Sequence, residues 1–161
     1  MKIIVSVDCN WAIGKNGDQL CYISEDLKRF QSLTKGHAVL LGRKTMATFP
    51  GGKPLKGRRN LIVSTNLASI DGAEVFGSVQ DAIKAAPEDT FVIGGESIYI
   101  QTIHLCDTAY VTKVEKAFPA DRWFPNLDEN PAWTITEEEG PFQHEGLRYS
   151  YVTYERKDRD A

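Results

Sequence analysis

Short apolar segments alternate with helical patterns along most of this chain, and this alternation restricts the fold more than any other feature of the sequence. Strands are predicted where β-branched or almost wholly apolar residues cluster, at Lys2–Val7, Ala38–Leu41, Asn60–Ser64, Thr90–Ile93 and Ala109–Val114. Helices are predicted between them, at Ser24–Thr34, at Ser78–Ala86 and from Glu96 to about Ile103. Interleaved strands and helices imply parallel βαβ units, so we expect an α/β fold with three layers and a mostly parallel central sheet.

The C-terminal third of the chain has a different pattern. Trp133–Thr136 and Leu147–Tyr154 alternate in polarity and carry Tyr and Thr, which predicts an antiparallel β-ribbon at the edge of the sheet. A frayed, charged tail is predicted at Arg156–Ala161. Because no internal repeat or Gly/Ser linker divides the 161 residues, we expect a single domain over residues 1–161.

The composition restricts the partners of this chain. With 19 basic and 22 acidic residues and a formal net charge of −3, it lacks the basic excess of nucleic-acid-binding proteins. A small anionic ligand is still compatible, because it needs only a few basic groups. The apolar run Ile3–Val5 near the start is too short for a signal peptide or a membrane span. We therefore expect no nucleic-acid and no membrane partner, and we expect a monomer.

The cysteines and histidines are scattered, at Cys9, Cys21, Cys106, His37, His104 and His144. They form no CxxC pair and no other metal-ligand spacing, so the sequence supports neither a disulfide framework nor a zinc site. Reduced thiols are typical of cytoplasmic proteins, so we expect a cytoplasmic location.

Ligands of parallel sheets bind at the carboxyl ends of the strands, where helices begin, so the strand-to-helix turns are the first candidates for a site. Gly94 and Gly95 separate a predicted buried strand from the helix that starts at Glu96. Paired glycines let a ligand approach the backbone, and the first N–H groups of a helix suit a phosphate. The alternative is a tight turn that needs a positive φ. The pattern is not GxGxxG, so a standard dinucleotide fold is not supported.

A second turn of this kind lies at Leu41–Thr45, where Arg43 and Lys44 open a helix. The helix dipole disfavours cations at that end, so their presence indicates an anion. The spacing of Gly36 and Gly42 excludes a P-loop. Small polar residues end the next strand and could complete the pocket, at Ser64, Thr65 and Asn66. Two such turns on one sheet favour a ligand with separated phosphates, such as a dinucleotide.

The predicted helix at Ser24–Thr34, with Ser24 as its N-cap, carries one acid on its apolar side. Asp26 lies four residues before Phe30 and shares the apolar stripe, whereas other polar residues are expected to point away, namely Glu25, Lys28 and Arg29. An unpaired carboxylate in an apolar cleft is costly, and a ligand with two N–H donors would compensate it. A raised pKa would suit proton delivery. The alternative is that Glu25 and Asp26 only stabilise the helix dipole.

Arg58 belongs to the basic cluster Lys53–Arg59, directly before a predicted strand. A guanidinium in this place could bind a substrate carboxylate through two hydrogen bonds. A solvated surface charge is the alternative.

Several motifs, in this order and spacing, resemble bacterial dihydrofolate reductases over nearly the whole chain. They are Trp11–Gly14, Glu25–Phe30, Leu41–Thr45, Leu55–Asn60, Val92–Gly95 and Arg122–Pro125. Each is weak alone, but the ordered set is specific. The resemblance implies a dihydrofolate-reductase-like fold and NADPH-dependent reduction of 7,8-dihydrofolate to 5,6,7,8-tetrahydrofolate, for one-carbon metabolism and thymidylate and purine synthesis. It also implies binding of antifolate inhibitors.

The resemblance also implies roles for individual residues. Asp26 would bind the amino and ring N–H groups of the pterin and promote protonation of N5, while hydride reaches C6. Arg58 would hold the α-carboxylate of the glutamate tail. The pterin and benzoyl pocket would be lined by Ile4, Val5, Leu27, Phe30, Phe49, Leu55, Ile93 and Thr112. The 2′-phosphate and diphosphate of NADPH would be held by Arg43, Lys44, Thr45, Ser64 and Thr65. Further cofactor contacts would come from Ser6, Ile13, Gly14, Gly42, Gly94, Gly95, Glu96, Ser97, Ile98 and Tyr99.

By the same resemblance, Gly94–Gly95 would be a cis peptide, and the segment from Ile13 to about Leu20 would be a mobile loop over the nicotinamide. The sequence departs from the family beside this loop, where Cys21 takes the place of the usual Trp. Either this leaves space near the pterin, or Tyr22 shifts inward to fill it. Two alternative functions remain at this stage: a related reductase of riboflavin biosynthesis, and a non-catalytic binder marked by Cys21.

Overall fold

The computed structural model describes residues 1–66 and 68–157. In this part of the chain, ten strands and four α-helices follow one another as β1 (Lys2–Val7), β2 (Ala12–Gly14), α1 (Ser24–Thr34), β3 (Ala38–Gly42), α2 (Arg43–Met46), β4 (Arg59–Val63), β5 (Ala73–Phe76), α3 (Val79–Ala85), β6 (Phe91–Gly94), α4 (Glu96–Thr102), β7 (Thr108–Val114), β8 (Arg122–Trp123), β9 (Trp133–His144) and β10 (Leu147–Arg156).

Eight of these strands form one sheet in the order β5-β4-β3-β6-β1-β7-β10-β9. The strands from β5 to β7 in this order all run parallel, and β10 and β9 are added antiparallel. β2 and β8 form a separate two-stranded sheet. The mostly parallel sheet with an antiparallel C-terminal edge is therefore confirmed.

The sheet is covered on both faces, which confirms the three layers. On one face, Phe30 and Leu33 of α1 pack against the buried cluster that includes Val39 and Ile62. On the other face, α3 and α4 pack against a second cluster, to which they contribute Val79, Ala82, Ile98 and Tyr99. Strands covered on both faces must be apolar throughout, which is why the central strands were recognisable from the sequence.

The start of α1 differs from the prediction. Ile23, not Ser24, occupies the N-cap position, and Ser24 is the first helical residue. The reason is tertiary, because Ile23 is only 3% exposed and packs with Val114 and Tyr149. Burial of an isoleucine contributes about 1.5–3 kcal/mol, which exceeds the roughly 1 kcal/mol of a typical serine cap.

The edge strands are where the prediction is incomplete. β5 was not predicted, nor was the small β2–β8 sheet, and β9 runs to His144 instead of ending at Thr136. Most of β9 is exposed on both faces, so its sequence after Thr136 shows no alternation, and acids cover the edge. Gly140–Pro141 lies in a register shift between β9 and β10, where proline is tolerated.

The prediction that the chain is a frayed tail from Arg156 onwards is wrong for Arg156 itself. Arg156 belongs to β10, and its guanidinium donates hydrogen bonds to the carbonyls of Ile103 (2.6 Å) and Cys106 (3.0 Å). Residues 158–161 of the predicted tail lie outside the described residues. No helix in the described part of the chain is long and apolar enough to span a bilayer.

The sheet opens at the carboxyl ends of its central strands. β1 and β6 are paired only at Lys2–Phe91 and Ile3–Val92, whereas β1 pairs with β7 along its whole length. Beyond this point the Tyr99 hydroxyl donates a 2.8 Å hydrogen bond to the carbonyl of Ile4. Because β6 no longer pairs with β1 at this point, the Tyr99 side chain of α4 provides the hydrogen-bond donor for the Ile4 carbonyl. A cleft opens between β1 and β6.

Candidate active site

A cleft of about 1370 Å³ crosses the strand ends from β7 through β1, β6 and β3 to β4. Each of these strands contributes a residue at or near its carboxyl end, namely Thr112, Ser6, Gly94, Gly42 and Ser64. Every residue predicted to act in catalysis, substrate binding or cofactor binding lines this cleft, except Arg58. Tertiary structure therefore brings the predicted site together, while the role of each residue stays a prediction.

The turn between β6 and α4 has a backbone that only glycine adopts easily. Gly94 has a φ of 136°, and the Gly94–Gly95 peptide bond is cis, as predicted. A Cβ on Gly94 would lie 3.2 Å from Oγ1 of Thr45, a residue of α2. The positive φ and the close approach of a second element therefore both require glycine here. As a result, the two strand-to-helix turns meet in the cleft.

The turn between β3 and α2 holds Arg43 through neighbouring oxygen atoms. Its Nε donates to Oγ of Ser64 at 3.0 Å, and its Nη2 donates to the carbonyls of Asn66 (3.3 Å) and Ala68 (3.1 Å). Helix α2 is only four residues long, so its dipole is small. These acceptors provide a reason for an arginine here that the sequence did not show, in addition to an anionic ligand.

Asp26 is a half-buried acid on the cleft side of α1. Its Oδ1 accepts a 2.6 Å hydrogen bond from Oγ1 of Thr112 on β7. Burial raises the pKa of the Asp26 carboxyl, while the Thr112 hydrogen bond and the charge of Arg29 act in the opposite direction. Asp26 therefore keeps its proton to a higher pH than an ordinary aspartate, as expected for a carboxyl on the apolar side of α1.

Arg29 does not point away from the core, which corrects the prediction. Its guanidinium carbon lies 4.0 Å from the ring centroid of Tyr151 and 5.9 Å from that of Tyr110. Leu27, expected in the apolar stripe, is 42% exposed because it lines the open cleft. The aromatic rings come from β7 and β10, which helical periodicity could not reveal.

Arg58 is held beside the cleft rather than in its wall. Its Nε donates to Oγ1 of Thr34 at 3.0 Å, its Nη1 donates to the carbonyl of Lys56 at 2.7 Å, and its Nη2 donates to Oε1 of Gln31. Gln31 itself lines the cleft. Carboxylate binding by Arg58 stays a prediction, and the interpretation as a freely solvated charge does not describe this half-buried side chain.

Cys21 lies in the cleft wall and packs against Ile23, Val114 and Tyr149. Burial, and then the charge of Asp26, raise the pKa of its thiol. Tyr22 is 49% exposed and its hydroxyl donates to Asp18. This hydrogen bond raises the pKa of Tyr22 to about 12. Tyr22 also lines the cleft, but its bond to Asp18 does not support the alternative in which it shifts inward. The effect of Asp26 on the Cys21 thiol favours Cys21 as the residue beside Asp26.

Sequence reasoning missed Asp8, which anchors the loop after β1, and it missed the structural hydrogen bond of Glu96, a residue predicted only as a cofactor contact. Asp8 is 3% exposed, and its carboxylate accepts from the backbone N–H groups of Ala12 and Phe118, both at 2.9 Å. The carboxylate of Glu96 accepts from the N–H of Trp123 at 2.8 Å. Asp8 directly follows a predicted strand that ends at the cleft, which was the available signal. Mobility of the loop stays a prediction.

The fold and the cleft define an α/β protein in which two glycine turns, of a kind that suits phosphates, share an extended cleft with a half-buried carboxyl group. Comparison with known proteins narrows this class. The dihydrofolate reductase family profile matches residues 1–156. The chain belongs to the dihydrofolate reductase family.

Individual relatives agree with this assignment. The dihydrofolate reductase of Bacillus subtilis is 33% identical over 162 residues, covering 98% of this chain and 95% of the relative. That of Mycobacterium leprae is 38% identical over 152 residues, covering 89% and 90%. A structure of Enterococcus faecalis dihydrofolate reductase complexed with NADP(H) and RAB-propyl superposes with a TM-score of 0.85 at 28% identity, covering 98% of this chain and 96% of that one.

Proposed function

We infer that this chain catalyses the NADPH-dependent reduction of 7,8-dihydrofolate to 5,6,7,8-tetrahydrofolate. The observation that carries this conclusion is a half-buried carboxyl, Asp26, bonded to Thr112 in the cleft of a chain that matches the dihydrofolate reductase family over residues 1–156. The relatives are named dihydrofolate reductase, and the Enterococcus faecalis enzyme binds NADP(H). The family assignment favours this reaction over the reductase of riboflavin biosynthesis.

The cleft fits NADPH at its two glycine turns. Gly42 and Gly95 are the N-cap residues of α2 and α4, and glycine offers no side-chain acceptor to the first N–H groups of a helix. Those N–H groups suit phosphates, and a Cβ at Gly94 would intrude on the space between the turns. We propose that the diphosphate lies between them and that Arg43 and Ser64 hold the 2′-phosphate. When bound, NADPH supplies the hydride that C6 of the substrate receives.

Asp26 is proposed as the catalytic residue. Its carboxyl faces the cleft with Oδ1 fixed by Thr112, so Oδ2 is left to accept from the amino and ring N–H groups of the pterin. A carboxylate next to the ring favours the protonated form of N5, and we propose that the proton arrives through an adjacent water molecule. The raised pKa of Asp26 supports this role, because the acid then titrates nearer to working pH.

The rest of the substrate is proposed to lie along the apolar wall. Phe30, Phe49 and Leu55 line the cleft between Asp26 and the segment that leads to Arg58. Apolar side chains of this kind suit the benzoyl ring. Arg58 would then bind the α-carboxylate after Gln31 moves aside, which the amide's exposed position allows.

We further propose that one domain over residues 1–161 acts as a cytoplasmic monomer. The family match spans nearly the full length of the chain. The cysteines are free thiols, which is typical of the reducing cytoplasm. Light scattering of the purified protein tests the monomer, and cell fractionation tests the location.

The activity is tested by the loss of NADPH absorbance in the presence and absence of dihydrofolate. We expect oxidation only with dihydrofolate, without added metal or flavin. Asp26→Asn should retain NADPH binding and lose most hydride transfer at neutral pH, with recovery as the pH falls and solvent protonates N5. Glu25→Gln is the matched control, because Glu25 is the neighbouring carboxylate but is exposed and paired with Lys28. It should keep normal activity.

Other outcomes would point to the alternative functions. Turnover of a ribosylamino-pyrimidine, but not of dihydrofolate, would support the riboflavin reductase. Binding of NADPH and dihydrofolate without turnover would support a non-catalytic binder. Full activity of Asp26→Asn at neutral pH would remove Asp26 from the mechanism.

A further inference from the structure

Three side chains, from β7, β10 and α1, are arranged around the acid. Asp26 accepts from Thr112 on β7, and Thr112 is paired in register with Tyr151 on β10. The ring of Tyr151 lies 4.0 Å from the guanidinium carbon of Arg29. Arg29 follows Asp26 by three residues on α1, which places the two on neighbouring positions of one helix face. The cation is therefore held on the side of α1 that carries the acid.

The aromatic rings explain why Arg29 stays there. A guanidinium is attracted to the face of an aromatic ring, and a flat stack limits the directions in which it swings. Tyr110 provides a second ring at 5.9 Å. By contrast, the neighbouring cation Lys28 pairs with Glu25 at 3.2 Å, and its side chain is 75% exposed. Two adjacent cations on α1 thus have different environments.

We propose that Arg29 is a positioning residue of the reaction, whose guanidinium, stacked on Tyr151, keeps a positive charge beside Asp26 and sets the pH range in which that acid releases its proton. This rests on the proposed function, in which Asp26 is the catalytic residue. Arg29 is not among the residues that line the cleft. It acts through Asp26.

The other groups around Asp26 do not replace this charge. Thr112 from β7 is neutral, Cys21 from the preceding loop is a thiol, and Tyr151 from β10 is a phenol. Burial raises the pKa of Asp26, and Arg29 is the charged group whose field lowers it again. The charge of Lys116 lowers the pKa of the Cys21 thiol, and it is not among the charges that shift the pKa of Asp26. Removal of Arg29 should therefore raise the pKa of Asp26, because the effect of burial is then opposed by one group fewer.

The test compares Arg29→Met with Lys28→Met, because both variants remove one cation from α1. Two measurements are made on each protein: the pH dependence of hydride transfer in single turnover, and the ¹³C NMR titration of the Asp26 carboxyl in the free protein. The Asp26 signal is assigned by its loss in Asp26→Asn. We expect the midpoint of both curves to move to higher pH in Arg29→Met, since a carboxylate without its cation binds protons more tightly. If the midpoint rises by about one pH unit, the rate in the alkaline range should rise about tenfold.

Lys28→Met should leave both midpoints in place, and Arg29→Lys should restore most of the wild-type value. Tyr151→Leu keeps the charge but removes the ring, and it should shift the midpoints in the same direction, whereas Tyr151→Phe should not. An unchanged or lower midpoint in Arg29→Met, or an equal shift in Lys28→Met, would overturn the proposal. If the wild-type protein fails to reduce dihydrofolate, the proposed function fails, but the NMR titration still decides the role of Arg29.

Discussion

Replacement of Gly94 by alanine tests whether the meeting of the two glycine turns depends on the missing side chain. The substitution adds a Cβ at a φ of 136°, in a region that residues other than glycine seldom adopt. The new atom would lie 3.2 Å from Oγ1 and 3.4 Å from Cγ2 of Thr45. Both are atoms of one side chain on α2, so relief requires either that the Thr45 side chain turns or that α2 and the end of β6 separate.

The expected cost has two parts. Backbone strain at such a position costs about 1–3 kcal/mol, and overpacking of a filled site costs about 1–3 kcal/mol more. Gly72→Ala is the matched control, because Gly72 also has a positive φ of 84° but a Cβ there meets nothing within 4 Å. It should lose only the strain of a left-handed residue, about 1–2 kcal/mol. At roughly 3 °C per kcal/mol for a chain of this size, Tm should fall by about 12 °C for Gly94→Ala and about 4 °C for Gly72→Ala.

Thermal unfolding followed by circular dichroism measures both variants, and urea titration provides the free energies of unfolding. The double variant Gly94→Ala with Thr45→Ala removes the two atoms that the new Cβ would meet. It should recover about 1–3 kcal/mol relative to the sum of the single variants. Equal losses in Gly94→Ala and Gly72→Ala, or a coupling energy near zero, would refute the role of the Thr45 contact.

Three further predictions follow from the site. Arg43→Ala should weaken NADPH binding about tenfold or more, since a charge-assisted hydrogen bond contributes about 1.5–3 kcal/mol. NADH binding should stay nearly unchanged. Equal losses of affinity in titrations with both cofactors would contradict a contact between Arg43 and the 2′-phosphate. Thiol labelling of Cys21 should slow when NADPH and an antifolate are bound, with the exposed Cys9 as internal control. An equal labelling rate with and without these ligands would place Cys21 outside the site. Cys21→Trp should lower the KM for dihydrofolate. In wild type, the folded state binds the Asp26 proton more tightly than the unfolded state, whose pKa is about 3.8, so Asp26 costs stability as the pH rises through the folded pKa. Between pH 4 and neutral pH, the free energy of unfolding of Asp26→Asn should therefore increase relative to that of wild type, as measured in urea titrations. A difference between the two proteins that stays constant with pH would contradict the raised pKa.

The sequence by itself determined the central sheet and the position of the cleft. β1, β3 and β6 were recognisable because strands buried on both faces must be apolar throughout, and because two of them, β3 and β6, end at glycines. The carboxyl ends of parallel strands share one edge of the sheet, so the turns at Gly42 and Gly94 had to converge. Asp26 was identifiable because a carboxylate on an apolar helix stripe is costly without a partner.

Only the tertiary structure decided which partners these residues have. Arg29 turns inward because Tyr151, 122 positions later in the chain, brings a ring to its helix face. Ser24 loses the cap position because burial of Ile23 fixes where α1 begins. β9 extends to His144 because β10 offers it a pairing edge, although beyond Thr136 both its faces are solvated and its sequence shows no alternation. Local patterns report which surfaces of a segment must be buried, but contacts between distant segments depend on how the whole chain packs, and no local pattern records them.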